Sequence, residues 1–241
     1  MIKRALVALI LGAFATAAVY ASETDKVKER VVETLERLNP SLSVSEVSST
    51  PVPGLFEVVV GGQIVYFSAD GRYMVQGELV DIREQRSLTE ASRTLQRQAH
   101  LSRIDPAELI TYPAQGETKH RVIVVTDIDC PYCRRMHAYM DDINALGIEV
   151  SYLQMPRAGV GSESYRKAVS VYCADNPQEA MDRAKAGGSV ANNNCENPVR
   201  SHMELTAQLG INATPTTVTE DGAVIPGYME AEALLRRLEQ R

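Results

Sequence analysis

Tryptophan is absent from the 241-residue chain and phenylalanine occurs only three times, which limits aromatic anchoring but does not decide a function. No paired-carboxylate or Ser/His/Asp catalytic arrangement stands out, and no phosphate-binding glycine loop is present. Beyond the first 21 residues, no segment is long and apolar enough to cross a bilayer. With 25 basic and 31 acidic side chains, the net charge of −6 makes the chain a poor candidate for binding nucleic acid.

The N-terminal residues 1–21 have the pattern of a secretory signal peptide. Lys3 and Arg4 form a basic start, an uncharged apolar run extends from Ala5 to Val19, and Ala21 suits cleavage. The alternative is an uncleaved membrane anchor, but the run is shorter than the about 20 residues that a span needs. The pattern therefore predicts export, and cysteines of an exported protein are more often redox-active or structural than metal ligands.

Residues 22–82 are predicted to form a small domain of one helix and an antiparallel sheet. Apolar residues at helical spacing cover 24–38. Two β-rich runs lie on either side of Gly61-Gly62, which predicts a hairpin, and a third run spans Tyr73–Val80. A domain of this size buries little apolar surface, so we expect it to form a homodimer through an exposed edge strand.

Residues 83–106 are predicted to form a linker helix, which begins with a capping box at Ser87–Glu90. Between the capping box and residue 103, Leu95 and Leu101 are the only sizeable apolar side chains, so the helix is expected to bridge two domains in solvent. The alternative is a helix that lies on the second domain.

The second domain, residues 107–241, has the pattern of an α/β fold. A strand at Val122–Ile128, a helix at Cys130–Leu146 and a strand at Ile148–Leu153 predict a βαβ unit. A helical insertion follows at 162–209, and the chain ends in a hairpin and a helix. The parallel strands require a sheet covered by helices, so the whole chain is predicted to be an α+β protein.

The chemistry-bearing motif is Cys130-Pro131-Tyr132-Cys133, at the start of the βαβ helix. Unpaired N–H groups and the helix dipole favour a thiolate there, so Cys130 is the predicted nucleophile and Cys133 the resolving thiol. This chemistry requires the Cys130 sulfur to be ionised near neutral pH and reachable. Half of a zinc site is the alternative, but no second close Cys/His pair exists, and we predict neither metal nor cofactor.

Charged residues flank the motif. The Asp129 carboxylate is expected to oppose ionisation of Cys130, while Arg134 and Arg135 are expected on a solvated helix face and His137 as a packing or surface residue. The other histidines are assigned to the surface: His100, His120 and His202.

Cys173 and Cys195 are predicted to form a structural disulfide in the helical insertion, which would stabilise the fold by roughly 3 kcal/mol in the chain-entropy model. A second redox-active pair is the alternative.

Three motifs in order carry a family resemblance: Thr126–Cys133, Gly210–Thr216 and Val224–Tyr228. They resemble a thioredoxin fold and, with the other features, the periplasmic DsbC/DsbG disulfide isomerases. The resemblance implies that Pro215 is cis and holds Thr214 near the sulfurs, where its backbone can pair with a substrate strand. It further implies that the dipeptide between the cysteines tunes the reduction potential.

The resemblance also implies a biological role. It predicts a periplasmic homodimer that rearranges wrong disulfides in misoxidised exported proteins, has chaperone activity and is kept reduced by a membrane electron donor of the DsbD type. Two alternatives stay open, a dithiol oxidase that inserts disulfides and a redox-independent chaperone for unfolded exported proteins.

Overall fold

The computed structural model of the protein describes residues 23–240, so the expected signal peptide at 1–21 lies outside the described range. The chain divides after Thr89 into two compact units, each of which is described by itself. Across the described range, none of the helices combines the length and the apolar character that a membrane span requires.

The first unit packs one helix against a four-stranded antiparallel sheet with the strand order β1-β2-β3-β4. Its core is formed by Val27, Val31 and Leu35 on one face of the helix and by apolar side chains of β2 and β3. The elements are α1 at residues 23–38, β1 Val44–Ser49, β2 Leu55–Val60, β3 Gln63–Ser68 and β4 Met74–Val75.

The predicted hairpin of this unit is present, whereas two of its other strands differ from the prediction. Gly61 and Gly62 have φ angles of 56° and 80°, the left-handed conformation that a tight two-residue turn demands. The expected strand at 73–80 is broken: β4 ends at Val75, and a short β5 (Val80–Asp81) pairs with β6 (Arg86–Ser87) instead. Strand β1 was not predicted, because a bulge near its start breaks the period-two pattern of a regular strand.

The second unit is a five-stranded sheet in the order β11-β10-β8-β9-β7, and β8 and β9 are its parallel pair. Alternate side chains of β8 enter two cores: Val122 and Val124 on one face, Ile123 and Val125 on the other. The strands are β7 Ile110–Tyr112, β8 His120–Thr126, β9 Ile148–Gln154, β10 Thr216–Thr219 and β11 Val224–Pro226. The helices are α2 Leu88–Leu101, α3 Pro131–His137, α4 Met140–Ala145, α5 Glu163–Tyr172, α6 Pro177–Lys185, α7 Val199–Gln208 and α8 Ala231–Glu239.

Helix α2 lies on the second unit, so the expectation of a helix surrounded by solvent is wrong. The Arg97 side chain is buried, and its Nε donates a hydrogen bond to the backbone oxygen of Leu209 at 3.0 Å. On the other side, Gly222 approaches the backbone of Thr94 so closely that a Cβ atom there would overlap with the Thr94 oxygen. The boundaries at 83 and 107 stay a prediction.

A disulfide joins Cys173, at the end of α5, to Cys195, with their Cα atoms 5.6 Å apart. The two cysteines are 22 positions apart in the sequence, and α6 lies between them. The disulfide therefore closes the segment that carries α6 into a loop. Within this loop, helix α6 packs against α3, the helix that begins at the Cys-x-x-Cys motif.

Candidate active site

The turn between β8 and α3 is held by one buried carboxylate. Asp127 is 2% exposed, and its Oδ1 accepts a hydrogen bond from the backbone N–H of Asp129 at 2.9 Å. Its Oδ2 accepts two more from Arg157, from the backbone N–H and from Nε, each at 3.0 Å. Cys130 then occupies the N-cap position in an extended conformation, and Pro131 takes the first helical position, where a missing N–H costs little.

The two sulfurs of the motif are free thiols in the structure, whereas Cys173 and Cys195 are joined. Cys130 and Cys133 are each only 1% exposed. The expectation of a Cys130 sulfur open to solvent is therefore wrong for this form of the protein. Between them, Pro131 and Tyr132 are exposed, and the Tyr132 side chain is 61% exposed.

The loop before β10 lies against the Cys130 sulfur. The Thr214–Pro215 peptide bond is cis, and the Cys130 thiol donates to the Thr214 backbone oxygen, with 3.4 Å between Sγ and O. Among the described residues, the buried Thr214 hydroxyl has no hydrogen-bond partner. It is thus uncommitted and can donate to a sulfur that ionises.

Burial has the largest effect on the Cys130 thiol, and by itself it would raise the pKa. Three donors act against burial because each stabilises the thiolate: the Thr214 hydroxyl, and the backbone N–H and thiol of Cys133. The positive charge of Arg157 adds to their effect. Together they hold the pKa of Cys130 below its ordinary value, which favours a nucleophilic thiolate near neutral pH.

The second thiol differs from the first in its ionisation. Burial is again the largest effect, and it raises the pKa of Cys133 above its ordinary value. The charge of Lys185 and hydrogen bonds from Asp127, Thr126 and Thr214 oppose this shift without reversing it. The site therefore holds one thiol that ionises readily and one that stays protonated.

The Asp129 carboxylate has two cationic partners. Its Oδ1 accepts hydrogen bonds from Arg134 Nη2 at 2.9 Å and from Lys167 Nζ at 3.0 Å. These charges offset the repulsion that Asp129 was expected to exert on the Cys130 thiolate. The expectation of a solvated Arg134 is wrong, since its Nε also donates to the Ile128 oxygen at 2.9 Å. The expected solvent-facing position holds for Arg135, which is 55% exposed.

His137 is a packed side chain rather than a surface one. Its Nδ1 lies 3.0 Å from the Tyr152 hydroxyl, and its Nε2 lies 3.1 Å from Asp182 Oδ1. Burial lowers the pKa of His137 to about 4, so the ring is neutral near pH 7. In that state it orders α3 against β9 and α6.

His202, which was assigned to the surface, is instead 1% exposed. Its ring packs edge-on against Tyr172, and the Gln154 backbone N–H donates to Nδ1 at 3.4 Å. Burial lowers the pKa of His202 to about 4. His202 lies on the buried face of α7 with Val199 and Thr206, so its helical spacing from Val199 was a local signal that the assignment missed.

The two cations that act on the sulfurs, Arg157 and Lys185, were not predicted. Arg157 follows β9 and Lys185 ends α6, where a cation ordinarily faces solvent and complements the helix dipole. No local signal separates them from surface cations, because only the tertiary fold brings them to the sulfurs. Within residues 23–240, no three potential metal ligands of the His, Cys, Asp or Glu type gather in one place.

Comparisons with known proteins place this geometry in context. The chain matches the family models "Disulfide bond isomerase protein N-terminal domain" over residues 16–90 and "Thioredoxin-like domain" over residues 106–241. It is 32% identical over 210 residues to the thiol:disulfide interchange protein DsbC of Escherichia coli strain K12. The aligned region covers 87% of this chain and 86% of that protein. It is 35% identical over 214 residues to the DsbC of Pasteurella multocida strain Pm70, with coverages of 88% and 91%.

Among solved structures, a disulfide interchange protein from Neisseria gonorrhoeae matches with a TM-score of 0.51 and 28% sequence identity. The match covers 57% of this chain and 97% of that one. These similarities confirm the family resemblance and the predicted α+β class with a thioredoxin-like C-terminal domain.

The uncommitted hydroxyl beside the sulfurs leads to a prediction. In a Cys133→Ala background, Thr214→Val should raise the pKa of Cys130, because the thiolate loses a donor while the site stays equally apolar. Thiolate absorbance measured against pH checks this shift. Thr217→Val, at another buried threonine of the same region, is the matched control and should leave the titration unchanged. Equal titrations of the Thr214→Val and parent proteins would contradict the assigned role.

Proposed function

We propose a function from one premise: the chain belongs to the DsbC family of thiol:disulfide interchange proteins. Within that activity, we infer a protein disulfide isomerase and reductase that acts on misoxidised exported proteins, with chaperone activity toward the same proteins. The observation that carries the proposal is the free dithiol at the start of α3, in which Cys130 has a lowered pKa and Cys133 a raised one. The signal-like residues 1–21 and the family support a periplasmic location.

Isomerisation follows from attack by the Cys130 thiolate. The thiolate bonds to one sulfur of a substrate disulfide, and the other substrate sulfur leaves with the bonding electron pair as a thiolate. That thiolate attacks a different disulfide within the substrate. A final attack by a substrate thiolate on the mixed disulfide expels Cys130 as a thiolate again. The substrate has exchanged its pairing, and neither partner has been oxidised or reduced.

Reduction follows when Cys133 attacks instead. A bond forms between the sulfurs of Cys133 and Cys130, and the substrate leaves as a thiolate with both of its sulfurs reduced. The enzyme is then oxidised and needs an electron donor before the next cycle. We propose a membrane donor of the DsbD type for this step, which also keeps a dithiol available for isomerisation.

Substrate binding is proposed at the cis-proline loop. The Thr214 backbone oxygen accepts from the Cys130 thiol, and it loses that donor when the thiol ionises. The freed oxygen can then accept from an extended substrate strand. Because Cys130 is 1% exposed, an approaching disulfide must displace part of the covering around the sulfur. The exposed Tyr132 ring lies beside this entry.

Dimerisation is proposed through the first unit. Strand β4 forms one edge of the four-stranded sheet, and its residues Met74 and Val75 are 56% and 55% exposed. The neighbouring Tyr73 is 59% exposed. An apolar edge strand presents unpaired backbone groups and apolar area together, which suits pairing with a second copy.

Refolding of scrambled ribonuclease tests the enzymatic proposal. Cys130→Ala should reduce the recovery of ribonuclease activity to that of buffer, because no other thiol of the site is set up to attack. Cys133→Ala should retain part of the isomerase activity and lose net reduction, because its mixed disulfide can still be released by substrate thiolates. A Cys130→Ala protein as active as wild type would contradict the proposal.

The same variant separates the chaperone component. Suppression of the aggregation of a cysteine-free unfolded protein should be unchanged in Cys130→Ala, because this binding is independent of the thiols. Loss of both isomerase activity and aggregation suppression in Cys130→Ala would show that both depend on the Cys130 sulfur.

The dimer proposal predicts a change in mass. The double substitution Met74→Glu and Val75→Glu should convert a dimer into a monomer at micromolar concentration, because it places charges on the pairing edge. Light scattering measures the mass directly. Val52→Glu, at a 42% exposed apolar residue before β2, is the control and should leave the dimer intact. A monomeric wild-type protein would contradict the proposal.

A further inference from the structure

A buried lysine lies beneath the dithiol, and the proposed reaction steps above do not use its proton. Lys185 is the last residue of α6 and is 3% exposed. Its Nζ donates to Thr126 Oγ1 at 2.6 Å and to the Asp127 backbone oxygen at 3.0 Å, and it lies 5.4 Å from the centre of the Tyr152 ring. Among the described residues, no carboxylate lies within ion-pairing distance of it.

An ammonium without a carboxylate partner is costly in such a place, because burial removes its hydration. Burial lowers the pKa of Lys185 to about 8, whereas burial raises the pKa of Cys133. The amine and the thiol have thereby moved toward each other in proton affinity. Transfer of a proton between the buried thiol and the buried amine therefore has a different free energy from transfer between a free cysteine and a free lysine, because both pKa values have shifted.

Other groups around the ammonium act on its charge as well. Thiolates at the two sulfurs and the Asp127 carboxylate favour the ammonium, and Arg134 opposes it. The neutral His137 ring and the protonated Tyr152 add no charge near pH 7. The facing groups come from α3 and its start (Cys130, Cys133, Arg134, His137), from the end of β8 (Asp127) and from β9 (Tyr152).

Thr126 connects the amine to the sulfur. Its hydroxyl accepts from Lys185, and the same hydroxyl is a hydrogen-bonding neighbour of Cys133 that stabilises the thiolate. A hydroxyl in this position can take a proton on one side and give one on the other. Lys185 therefore acts on Cys133 through Thr126 rather than by direct contact.

We propose that Lys185 is the proton acceptor that activates Cys133, through the Thr126 hydroxyl, for closure of the active-site disulfide. The inference rests on the proposed function, because it concerns the step that ends a mixed disulfide between Cys130 and a substrate. Lys185 is then a positioning residue, because it acts on Cys133 through Thr126. The rate of this proton transfer determines how long the substrate stays attached to Cys130.

The step is balanced as follows. The Cys133 thiol proton passes to Thr126, whose own proton passes to the neutral amine of Lys185, which becomes an ammonium. The Cys133 thiolate bonds to the Cys130 sulfur, and the bond from Cys130 to the substrate sulfur breaks. The substrate sulfur leaves with the electron pair as a thiolate, so the dithiol is oxidised and the substrate reduced.

Charge conservation inside the pocket is the physical reason for this route. While the amine is neutral, loss of the Cys133 proton to water would leave a thiolate without a positive partner in a buried site, which is strongly disfavoured. Transfer to the amine creates an ion pair instead, and the net charge of the pocket does not change. A slower transfer would extend the time available for substrate thiolates to rearrange.

Release of a chromophoric thiol tests the proposal. An aromatic disulfide reagent, dithiobis(nitrobenzoate), places thionitrobenzoate on Cys130, and attack by Cys133 then expels it in a step that does not depend on reagent concentration. Stopped-flow absorbance gives the rate of this step from about pH 6 to pH 10, the range in which these groups titrate. The proteins compared are wild type, Lys185→Met and Lys185→Gln, with Arg183→Met as the control. Arg183 lies on the same helix but is exposed, so its substitution removes one positive charge without touching the pocket.

In wild type, the rate of thionitrobenzoate release should rise with pH, with a midpoint near the Lys185 pKa of about 8. Lys185→Met and Lys185→Gln should slow the step by about tenfold or more at neutral pH and move the midpoint upward, because Cys133 must then ionise alone. Arg183→Met should match wild type. A merely structural role would lower the rate equally at every pH.

Two other outcomes are separable. If the lysine variants have the wild-type pH profile while thermal unfolding shows them folded, the inference is overturned and the proposed function stands. If wild type itself releases no second thionitrobenzoate, the dithiol mechanism fails and the proposed function fails with it. Thermal unfolding is measured for both lysine variants because Lys185→Met leaves the Asp127 backbone oxygen without this donor, whereas Lys185→Gln retains an amide donor.

Discussion

The active site depends on one contact: the Cys130 sulfur, at the start of α3, lies against the cis-proline loop. Strand β10 is antiparallel to β8, with Thr216 opposite Val125, so the loop that precedes β10 lies at the edge where β8 ends. The buried Asp127 carboxylate holds the β8–α3 turn, and the sulfur reaches the Thr214 oxygen at 3.4 Å. The order of the strands, the β8–α3 turn and the start of α3 together fix the position of the Cys130 sulfur.

Burial would make both thiols poor nucleophiles, and the arrangement of donors corrects this for only one of them. Cys130 has the Thr214 hydroxyl and two groups of Cys133 to stabilise its thiolate, and its pKa falls. Cys133 has as many donors, but burial outweighs their effect and its pKa rises. This asymmetry supports the proposed roles, attack by the first thiol and resolution by the second, and Lys185 is the group proposed to make the second thiol reactive.

Features set by local sequence could be predicted, and those set by distant contacts could not. The Gly61-Gly62 turn and the helix that begins after Cys130 follow from residue types and spacing. The α2 helix was misjudged because its docking depends on a contact between Arg97 and Leu209, 112 positions apart. The burial of Cys130, the cations around Asp129 and the lysine under the dithiol likewise arise where elements from separate parts of the second unit pack together.

Competitive alkylation of the native reduced protein tests the central claim, that a buried Cys130 sulfur is nonetheless ionised and reached by a reagent. Peptide mass spectrometry gives the rate at each cysteine as a function of pH. The account predicts that Cys130 reacts much faster than Cys133, with a midpoint below that of free cysteine. Equal, slow labelling of the two thiols, or a Cys130 midpoint at or above that of free cysteine, would contradict it.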